Sequence, residues 1–166
     1  MDQTADRIRQ INWENPEKSK RNASLISGFD YLKAILDGEI AQPPVANLVG
    51  YRIADVEEGK AVFELTPGEY HYNPFATVHG GITTTLLDTT MTAAVLSTLP
   101  KGKACFTIEI KVNFLRQISA ATGKIKCMAD VTHSGGRIAV ATGRVLDMKN
   151  ELYASAVSTC MIIKSP

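Results

Sequence analysis

The sequence predicts an α+β fold, in which an antiparallel sheet packs against one long helix. The second half of the chain is a series of segments that alternate apolar and polar residues, the pattern of strands with one buried face. The segment 81–99 is apolar without that alternation, and its apolar residues recur at helical spacing. Long neighbouring strands with a single helix to cover one face are typical of the α+β class.

The N-terminal part of the chain differs in composition from the rest. Residues 1–22 are charged throughout and predict a polar arm, partly helical over 5–11. Residues 23–50 predict a helical extension. Apolar residues recur there every three or four positions from Ser24, a suitable N-cap, to Ile40.

Residues 51–166 form the predicted main domain, which follows a short helical turn that ends near Gly50. Six of its segments predict strands. In the third strand, Phe106 and Phe114 lie on the apolar side and are expected in the core, while Thr107 lies on the polar side. The predicted strands are 51–56, 60–66, 106–114, 125–131, 138–148 and 152–163.

Composition and charge exclude several classes of protein. The formal net charge of +1 gives no electrostatic attraction to nucleic acid or to an anionic membrane, and no segment approaches the apolar length that spans a bilayer. The first 22 residues lack the apolar core of a signal peptide, so a cytoplasmic protein is expected. No metal-ligand spacing is present, and three cysteines without paired spacing are expected to be reduced and buried: Cys105, Cys127 and Cys160.

One stretch joins a polar loop, two glycines and a helical segment that holds a single carboxylate. The loop 73–79 runs into Gly80 and Gly81, and Asp88 lies within the apolar segment that follows. A helix start exposes unpaired backbone N–H groups and the positive end of the helix dipole, which favour a developing oxyanion. Burying a carboxylate among apolar residues costs free energy, so its presence there indicates a function. The combination indicates an acyl-transfer site.

The spacing of these groups predicts a site built from two chains. Gly81 and Asp88 are seven residues apart, so they share a helix face but lie about 10 Å apart along the axis. An acid must come within about 3 Å of the proton or carbon that it serves. One helix therefore cannot present both groups to one small carbonyl, whereas two helices related by a two-fold axis can. An enzyme of this kind would work at least as a dimer.

The chain resembles the hotdog-fold acyl-CoA thioesterases of the phenylacetate-degradation (PaaI-like) type, from about residue 50 to residue 163. The resemblance implies an antiparallel sheet wrapped around a central helix, with dimers joined edge to edge and often paired again into tetramers. The motifs that carry it are Asn73, His79-Gly80-Gly81, Asp88, Thr107, Asn113-Phe114-Leu115-Arg116 and His133-Ser134-Gly135-Gly136-Arg137.

The resemblance implies a role for each residue of the central motif. The backbone N–H of Gly81 or Gly80 would polarise the thioester carbonyl, and His79 and Asn73 would orient the carbonyl or the water. Asp88 would act from the other subunit as general base or nucleophile.

Further residues would complete the site. Thr107 corresponds to a position where related enzymes hold a hydroxyl that orients water. Arg116, Gly136 and Arg137 would lie near the CoA phosphates and pantetheine, where guanidinium groups suit phosphate oxygens. Gln117 is a departure, since many relatives have proline there. The implied partner is an acyl-CoA substrate, with no metal or redox cofactor.

Structural alternatives stay open for several of these residues. His79 can be a helix-entry residue bonded to backbone, Asn73 can form an Asx turn with Pro74, and neighbouring threonine hydroxyls can satisfy Asp88. Two other functions also stay open. One is a hotdog hydratase or dehydratase of enoyl or 3-hydroxyacyl thioesters, and the other is an acyl-CoA-binding module without catalysis.

Overall fold

The computed structural model describes residues 7–165, and its main domain is a six-stranded sheet wrapped around one long helix. The prediction of a hotdog fold with an N-terminal helical extension is confirmed. The helices are α1 (Pro16–Leu25), α2 (Gly28–Leu36), α3 (Pro44–Val49) and α4 (Gly80–Leu96). The strands are β1 (Tyr51–Glu57), β2 (Lys60–Leu65), β3 (Lys103–Phe114), β4 (Ile125–Ser134), β5 (Ile138–Asp147) and β6 (Leu152–Lys164).

The sheet has the order β1-β2-β4-β5-β6-β3, and each neighbouring pair is antiparallel. The β1–β2 hairpin turns at Gly59, whose φ of 77° suits glycine. Strands β1 and β3 form the two edges of the sheet, and α4 packs against strands from one edge to the other. None of the helices in residues 7–165 combines the length and the apolar composition that crossing a bilayer would take.

Helix α4 is buried although it is rich in threonine. Thr84 and Thr90 each donate a side-chain hydrogen bond to the carbonyl four residues earlier, so their hydroxyls are satisfied within the helix. Leu87 and Met91 are fully buried against the sheet. A Cβ at Gly143 of β5 would lie 3.0 Å from both side chains, so this glycine lets helix and sheet approach closely.

Strand β3 departs from the simple alternation of its sequence. A β-bulge between Thr107 and Glu109 inserts Ile108 as an extra residue. As a result Thr107 faces α4, and it is not on a solvent-facing polar side as the sequence predicted. The expectation that Phe106 and Phe114 are core residues was wrong, since their side chains are 55% and 56% exposed. Before the bulge it is Cys105 and Thr107 that face α4, so Phe106 points to the other side of the sheet, and Phe114 lies at the end of the strand beside the first turn of α4.

The first helix begins earlier than the sequence analysis expected. Asn15 caps α1 by accepting from the N–H of Glu17, and Pro16 fits the first helical position. The boundary predicted between arm and extension at residue 23 therefore falls inside a helix. Residues 7–11 are not helical, which contradicts that part of the helix predicted over 5–11, and residues 5 and 6 lie outside the described residues.

The single helix predicted from Ser24 to Ile40 is in fact two helices. The backbone is extended at Ile26, and Ser27 caps α2 by accepting from the N–H of Asp30. The N–H of Gly28 donates to the carbonyl of Leu99, which ties the start of α2 to the segment after α4. A break at this point lets the extension turn and lie on the main domain.

Candidate active site

The two glycines at the start of α4 differ in the hydrogen bonding of their backbone N–H groups. His79 is the N-cap, and its Nδ1 accepts from the N–H of Gly81 at 2.9 Å. The donor at Gly81 is therefore already engaged. The N–H of Gly80, at the first helical position, has no acceptor among residues 7–165, so it is the better candidate to meet a ligand oxygen.

Asp88 lies in the middle of α4 and is partly buried. The Thr107 hydroxyl donates to its Oδ1 at 2.6 Å, and the Thr92 hydroxyl lies 3.1 Å from the same Thr107 oxygen. The bulge in β3 turns Thr107 toward the helix and so makes this contact possible. A carboxylate held by one hydroxyl at one oxygen is oriented and still able to take a proton at the other.

Thr92 was missed by the sequence analysis. It lies four residues after Asp88, which places the two side chains on the same helix face. That spacing is the signal that could have found it. Tyr51 was missed as well: its hydroxyl accepts from Thr89 at 3.2 Å, and burial raises the pKa of this phenol above its ordinary value. Nothing in the sequence around Tyr51 indicates that β1 passes close to α4.

The helix start and Asp88 remain apart within one chain. Helix α4 runs without a break from Gly80 to Leu96, so eight residues of regular helix separate Gly80 from Asp88, about 12 Å. The separation expected from the sequence therefore holds in the fold. One protomer by itself does not bring the two groups to one carbonyl.

The loop before α4 is held by its own asparagine. Asn73 Oδ1 accepts from the N–H groups of Phe75 and Thr77, and its Nδ2 donates to the Thr77 hydroxyl at 2.9 Å. This is the Asx-type turn that the sequence left as an alternative. The amide therefore shapes the loop, and Ala76 adopts a positive φ of 58° within it.

A cleft of about 440 Å³ opens beside this loop and the start of α4. Asn73, Gly80, Phe114 and Arg116 contribute to its walls. A Cβ at Gly80 would lie 3.1 Å from the Phe114 ring, so the exposed phenylalanine covers the first turn of the helix. The Arg116 guanidinium pairs with Glu151 at 3.0 Å, an exposed contact that a phosphate can replace at little cost.

The three predicted CoA-binding residues do not lie together in one chain. The backbone N–H of Arg116 donates to the carbonyl of Tyr153, near the start of β6. The carbonyl of Arg137 accepts from the N–H of Ile162, near the end of the same strand, and Gly136 is its neighbour. Nine strand residues span about 30 Å, so Arg116 and Arg137 lie at opposite ends of β6.

A second cavity, of about 260 Å³, lies between α4 and the N-terminal helices. Asp88 contributes to its wall, and the other residues are mostly apolar. The cleft and this second cavity thus lie at different points along α4, one at its start and one beside its carboxylate. From the sequence, residues 1–40 could be expected to shape an interface or the acyl pocket, but the position of this cavity could not be predicted because elements distant in the chain form it.

Residues 75–154 match the Thioesterase superfamily. The chain contains a thioesterase-superfamily domain. A 1,4-dihydroxy-2-naphthoyl-CoA hydrolase from Listeria monocytogenes is 28% identical over 114 residues, which cover 69% of this chain and 89% of that protein. Both findings support a thioester hydrolase.

Solved structures of thioesterase-related proteins share the fold. A phenylacetic acid degradation-related protein from Ralstonia eutropha JMP134 aligns with a TM-score of 0.71 and 28% identity, covering 79% of this chain and 98% of its own. The PaaI protein of the phenylacetic acid degradation operon of Escherichia coli aligns with a TM-score of 0.73 and 23% identity, covering 84% and 98%. The matched thioesterase domain contains the start of α4, Asp88, Thr107 and Arg116.

The three cysteines are buried, and one of them lies beside the candidate site, where the Cys105 thiol donates to the carbonyl of Thr92 at 3.7 Å. Cys105, Cys127 and Cys160 are buried and unpaired by disulfides, as the sequence predicted. Burial raises the pKa of the Cys127 thiol to about 12, so it stays protonated at neutral pH. Within residues 7–165, no three histidine, cysteine or carboxylate side chains cluster as a metal site would require.

Proposed function

We propose that the protein hydrolyses an acyl-CoA thioester to a free acid and CoA, in a site that two chains form together. The observation that carries the proposal is the carboxylate of Asp88, oriented by Thr107 at 2.6 Å within a thioesterase-superfamily domain. The free N–H at the start of α4 supplies the second group that the reaction needs. The Listeria relative, a hydrolase named for a CoA thioester, supports this substrate class.

The reaction follows from these two groups. Asp88 removes a proton from a water molecule, whose oxygen attacks the thioester carbon. The carbonyl oxygen becomes an oxyanion, which the N–H of Gly80 and the helix dipole stabilise. The carbon–sulfur bond then breaks, and the CoA thiolate takes up the proton that Asp88 received. A direct attack by the carboxylate, followed by hydrolysis of the resulting anhydride, gives the same products.

The order of groups along β3 supports a site shared between chains. Within one protomer Gly80 lies against Phe114, near the end of β3, and Asp88 lies against Thr107, nearer its middle. Antiparallel pairing of β3 with the same strand of a second copy reverses this order. The start of one α4 then approaches the Asp88 of the other chain. Apolar side chains exposed along this edge would be covered by the same contact.

The same pairing accounts for the separated CoA-binding residues. Arg116 follows the end of β3, whereas Arg137 lies beside the opposite end of β6. An antiparallel β3 pair would bring Arg116 of one chain toward the partner's Arg137, so that both could meet one CoA. The proposed chemistry requires a carboxylate, a water molecule and an N–H donor, and no metal or redox cofactor.

Release of free CoA thiol from a panel of aliphatic and aryl acyl-CoAs tests the proposal, with the wild type measured beside Asp88→Asn. The expected result is turnover of at least one member and a loss of about 10²-fold or more in kcat for the variant. Binding of the same acyl-CoAs should change little, because the amide keeps the shape of the carboxylate.

Two outcomes would contradict the proposal. Turnover that survives in Asp88→Asn would remove Asp88 from the chemistry. Absence of thiol release from every member would contradict hydrolysis; a change in enoyl-CoA absorbance would then identify a hydratase, and protection of the fold against heat without turnover would identify a binding module. Single turnover in ¹⁸O-labelled water separates the two roles of Asp88, since only a nucleophilic carboxylate acquires the label.

A further inference from the structure

His71 lies buried where the end of α3 meets the loop before α4, and only 3% of it is exposed. Its Nδ1 accepts from the N–H of Gly68 at 3.1 Å, which places the ring proton on Nε2. Nε2–H then donates to the carbonyl of Val49, the last residue of α3, at 2.7 Å. Carbonyls at a helix end have no partner within the helix, so this bond both satisfies Val49 and fixes the ring.

The main chain of His71 closes the loop that lines the cleft. Its carbonyl accepts from the N–H of His79 at 2.8 Å, next to an antiparallel bridge between Tyr72 and Val78. The loop that this pairing closes, residues 73–77, contributes to the wall of the cleft. One residue thus joins the end of α3, through its ring, to the N-cap of α4, through its carbonyl.

The bond to His79 extends this connection to the donor at the start of α4. His79 caps the helix, and the next residue, Gly80, carries the N–H that we propose for the oxyanion. A donor of this kind stabilises an oxyanion only from about 2.7–3.1 Å, so a small shift of the N-cap weakens it. The position of the His71 carbonyl therefore affects where this N–H lies.

We propose that His71 is a positioning residue for the oxyanion donor of Gly80. Among residues 7–165, its ring lines neither the cleft nor the second cavity, so it acts through His79 and does not touch the substrate. The effect on catalysis rests on the proposed function, whereas the link from ring to donor rests on the hydrogen bonds alone.

The charged groups around the ring favour its neutral form. The guanidinium of Arg9, from the segment before α1, lies 4.3 Å from the centre of the Tyr70 ring, which packs edge to face against His71. Glu69, in the same turn, is paired with Arg7 at 2.8 Å. Protonation of His71 would add a positive charge near Arg9 and remove the acceptor at Nδ1. The position of the donor at the start of α4 should consequently depend on pH.

Two substitutions at His71 test the proposal by kinetics. His71→Leu removes both hydrogen bonds of the ring, whereas His71→Gln keeps a donor for Val49. His71→Leu should lower kcat about tenfold with KM within about twofold, because an oxyanion donor acts in the transition state, and His71→Gln should restore most of kcat. Val56→Ala is the control for lost stability, since Val56 is buried and lines neither the cleft nor the second cavity.

Glycine-selective ¹⁵N NMR of the wild type and His71→Gln measures the link without any substrate. The Gly80 amide signal is assigned by its loss in Gly80→Ala. Burial lowers the pKa of His71 below 6.5, and the Gly80 signal of the wild type should move at the pH where the His71 ring takes up its proton. His71→Gln should lack this movement. His79, whose imidazole caps the same helix, is present in both proteins, so its own effect cancels in the comparison.

Failure of the inference and failure of the proposed function give different results. If no acyl-CoA is hydrolysed, the proposed function fails and the Gly80 signal decides the inference. A movement that His71→Gln abolishes supports it, and the same pH dependence in both proteins overturns it. If hydrolysis occurs, a loss of kcat in His71→Leu no larger than that in Val56→Ala overturns the inference while the function stands. Thermal melting confirms that each variant is folded at the assay temperature, and the NMR comparison decides if His71→Leu does not fold.

Discussion

Side chains that mark the site also hold the backbone around it. His79 caps α4 by accepting from the N–H of Gly81, and Asn73 ties its loop through two backbone N–H groups. The sequence allowed both a structural and a chemical role for each residue, and the geometry supplies the structural one in both cases. Gly80 is consequently the donor that we propose for the oxyanion, while His79 fixes the turn that holds it.

His71 is a buried residue with a structural role that depends on pH. Its Nε2–H donates to the carbonyl of Val49 at 2.7 Å, and its Nδ1 accepts from the N–H of Gly68 at 3.1 Å. The contact with Gly68 requires the neutral ring, because a protonated Nδ1 can no longer accept, whereas the contact with Val49 persists in the charged ring. Burial lowers the pKa of His71 below the ordinary value of 6.5, and the nearby Arg9 charge adds to the effect.

The free energy of unfolding should therefore fall as the solution becomes more acidic. The unfolded chain takes up a proton at His71 near pH 6.5, whereas the folded chain takes it up only at lower pH. The contribution of the neutral ring is thus fully present above that value and is lost as pH falls through the folded pKa. Urea unfolding at about pH 7.5 and about pH 5.5 measures the difference.

His71→Gln is the matched variant for this prediction, because it keeps hydrogen-bonding groups without titrating. Its stability should depend less on pH over the same interval than that of the wild type. Parallel pH dependences in the two proteins would show that His71 does not carry the effect.

At the scale of elements, the docking of α2 depends on one glycine. A Cβ at Gly28 would lie 1.9 Å from the carbonyl oxygen of Leu96, which is backbone and cannot rotate away. Gly28→Ala should push α2 off the end of α4 and destabilise the fold by roughly 1–3 kcal/mol.

Gly136→Ala is the control for Gly28→Ala, since a Cβ there meets no atom within 4 Å. Its stability should stay within about 0.5 kcal/mol of the wild type. Denaturant melts of both variants measure the contrast, and equal stability of Gly28→Ala and the wild type would contradict the docking argument.

Edge strand β3 is the element that a second copy is proposed to cover. Ile108 is the bulged residue, and its side chain is 53% exposed on that strand. A lysine there places a charge on an apolar edge, so Ile108→Lys should shift a dimer toward monomer and lower activity with it. Light scattering after size exclusion measures the mass.

Met148→Lys is the matched change for Ile108→Lys, on the turn after β5 and 58% exposed. It should leave the mass unchanged. A monomeric wild type, or an unaltered mass in Ile108→Lys, would contradict pairing through β3.

The sequence predicted which helices and strands form better than it predicted where the helices begin and where a strand is interrupted by a bulge. The two-residue alternation of β4 and the helical apolar stripe of α4 are local signals, and both elements formed as predicted. The bulge at Ile108 is not a local signal, and it changed which side of β3 faces the helix. The Asn15-Pro16-Glu17 and Ser27…Asp30 caps were present in the sequence and would have placed the helix starts correctly.

In the site, too, features within one helix could be predicted from the sequence, whereas contacts between residues distant in the chain could not. Spacing along α4 alone separated Gly81 from Asp88 and indicated two chains. The Asp88–Thr107 contact joins residues nineteen apart that the fold brings together. The resemblance named Thr107 as a hydroxyl that orients water, and its contact with Asp88 was not predicted. The second cavity depends on the packing of α2 against β1 and α4, which the periodicity of the sequence does not show.

At the scale of the whole molecule, the proposed catalytic unit is a dimer. Each protomer holds an oriented carboxylate, a free helix N–H, a cleft and an apolar cavity, but these groups are too far apart to meet one thioester. Two-fold pairing at β3 would join the cleft of one chain to the cavity of the other. The central claim is therefore that each site takes Asp88 from one chain and Gly80 from the other.

Mixed dimers test that claim most directly. Gly80→Val disables the donor end, because its side chain would collide with Phe114, and Asp88→Asn disables the acid. Each variant alone should be nearly inactive. After exchange at equal amounts, half of the dimers contain one of each chain with one intact site, so thiol release should recover to about a quarter of the wild-type rate. No recovery, with subunit exchange verified by native mass spectrometry, would contradict the shared site.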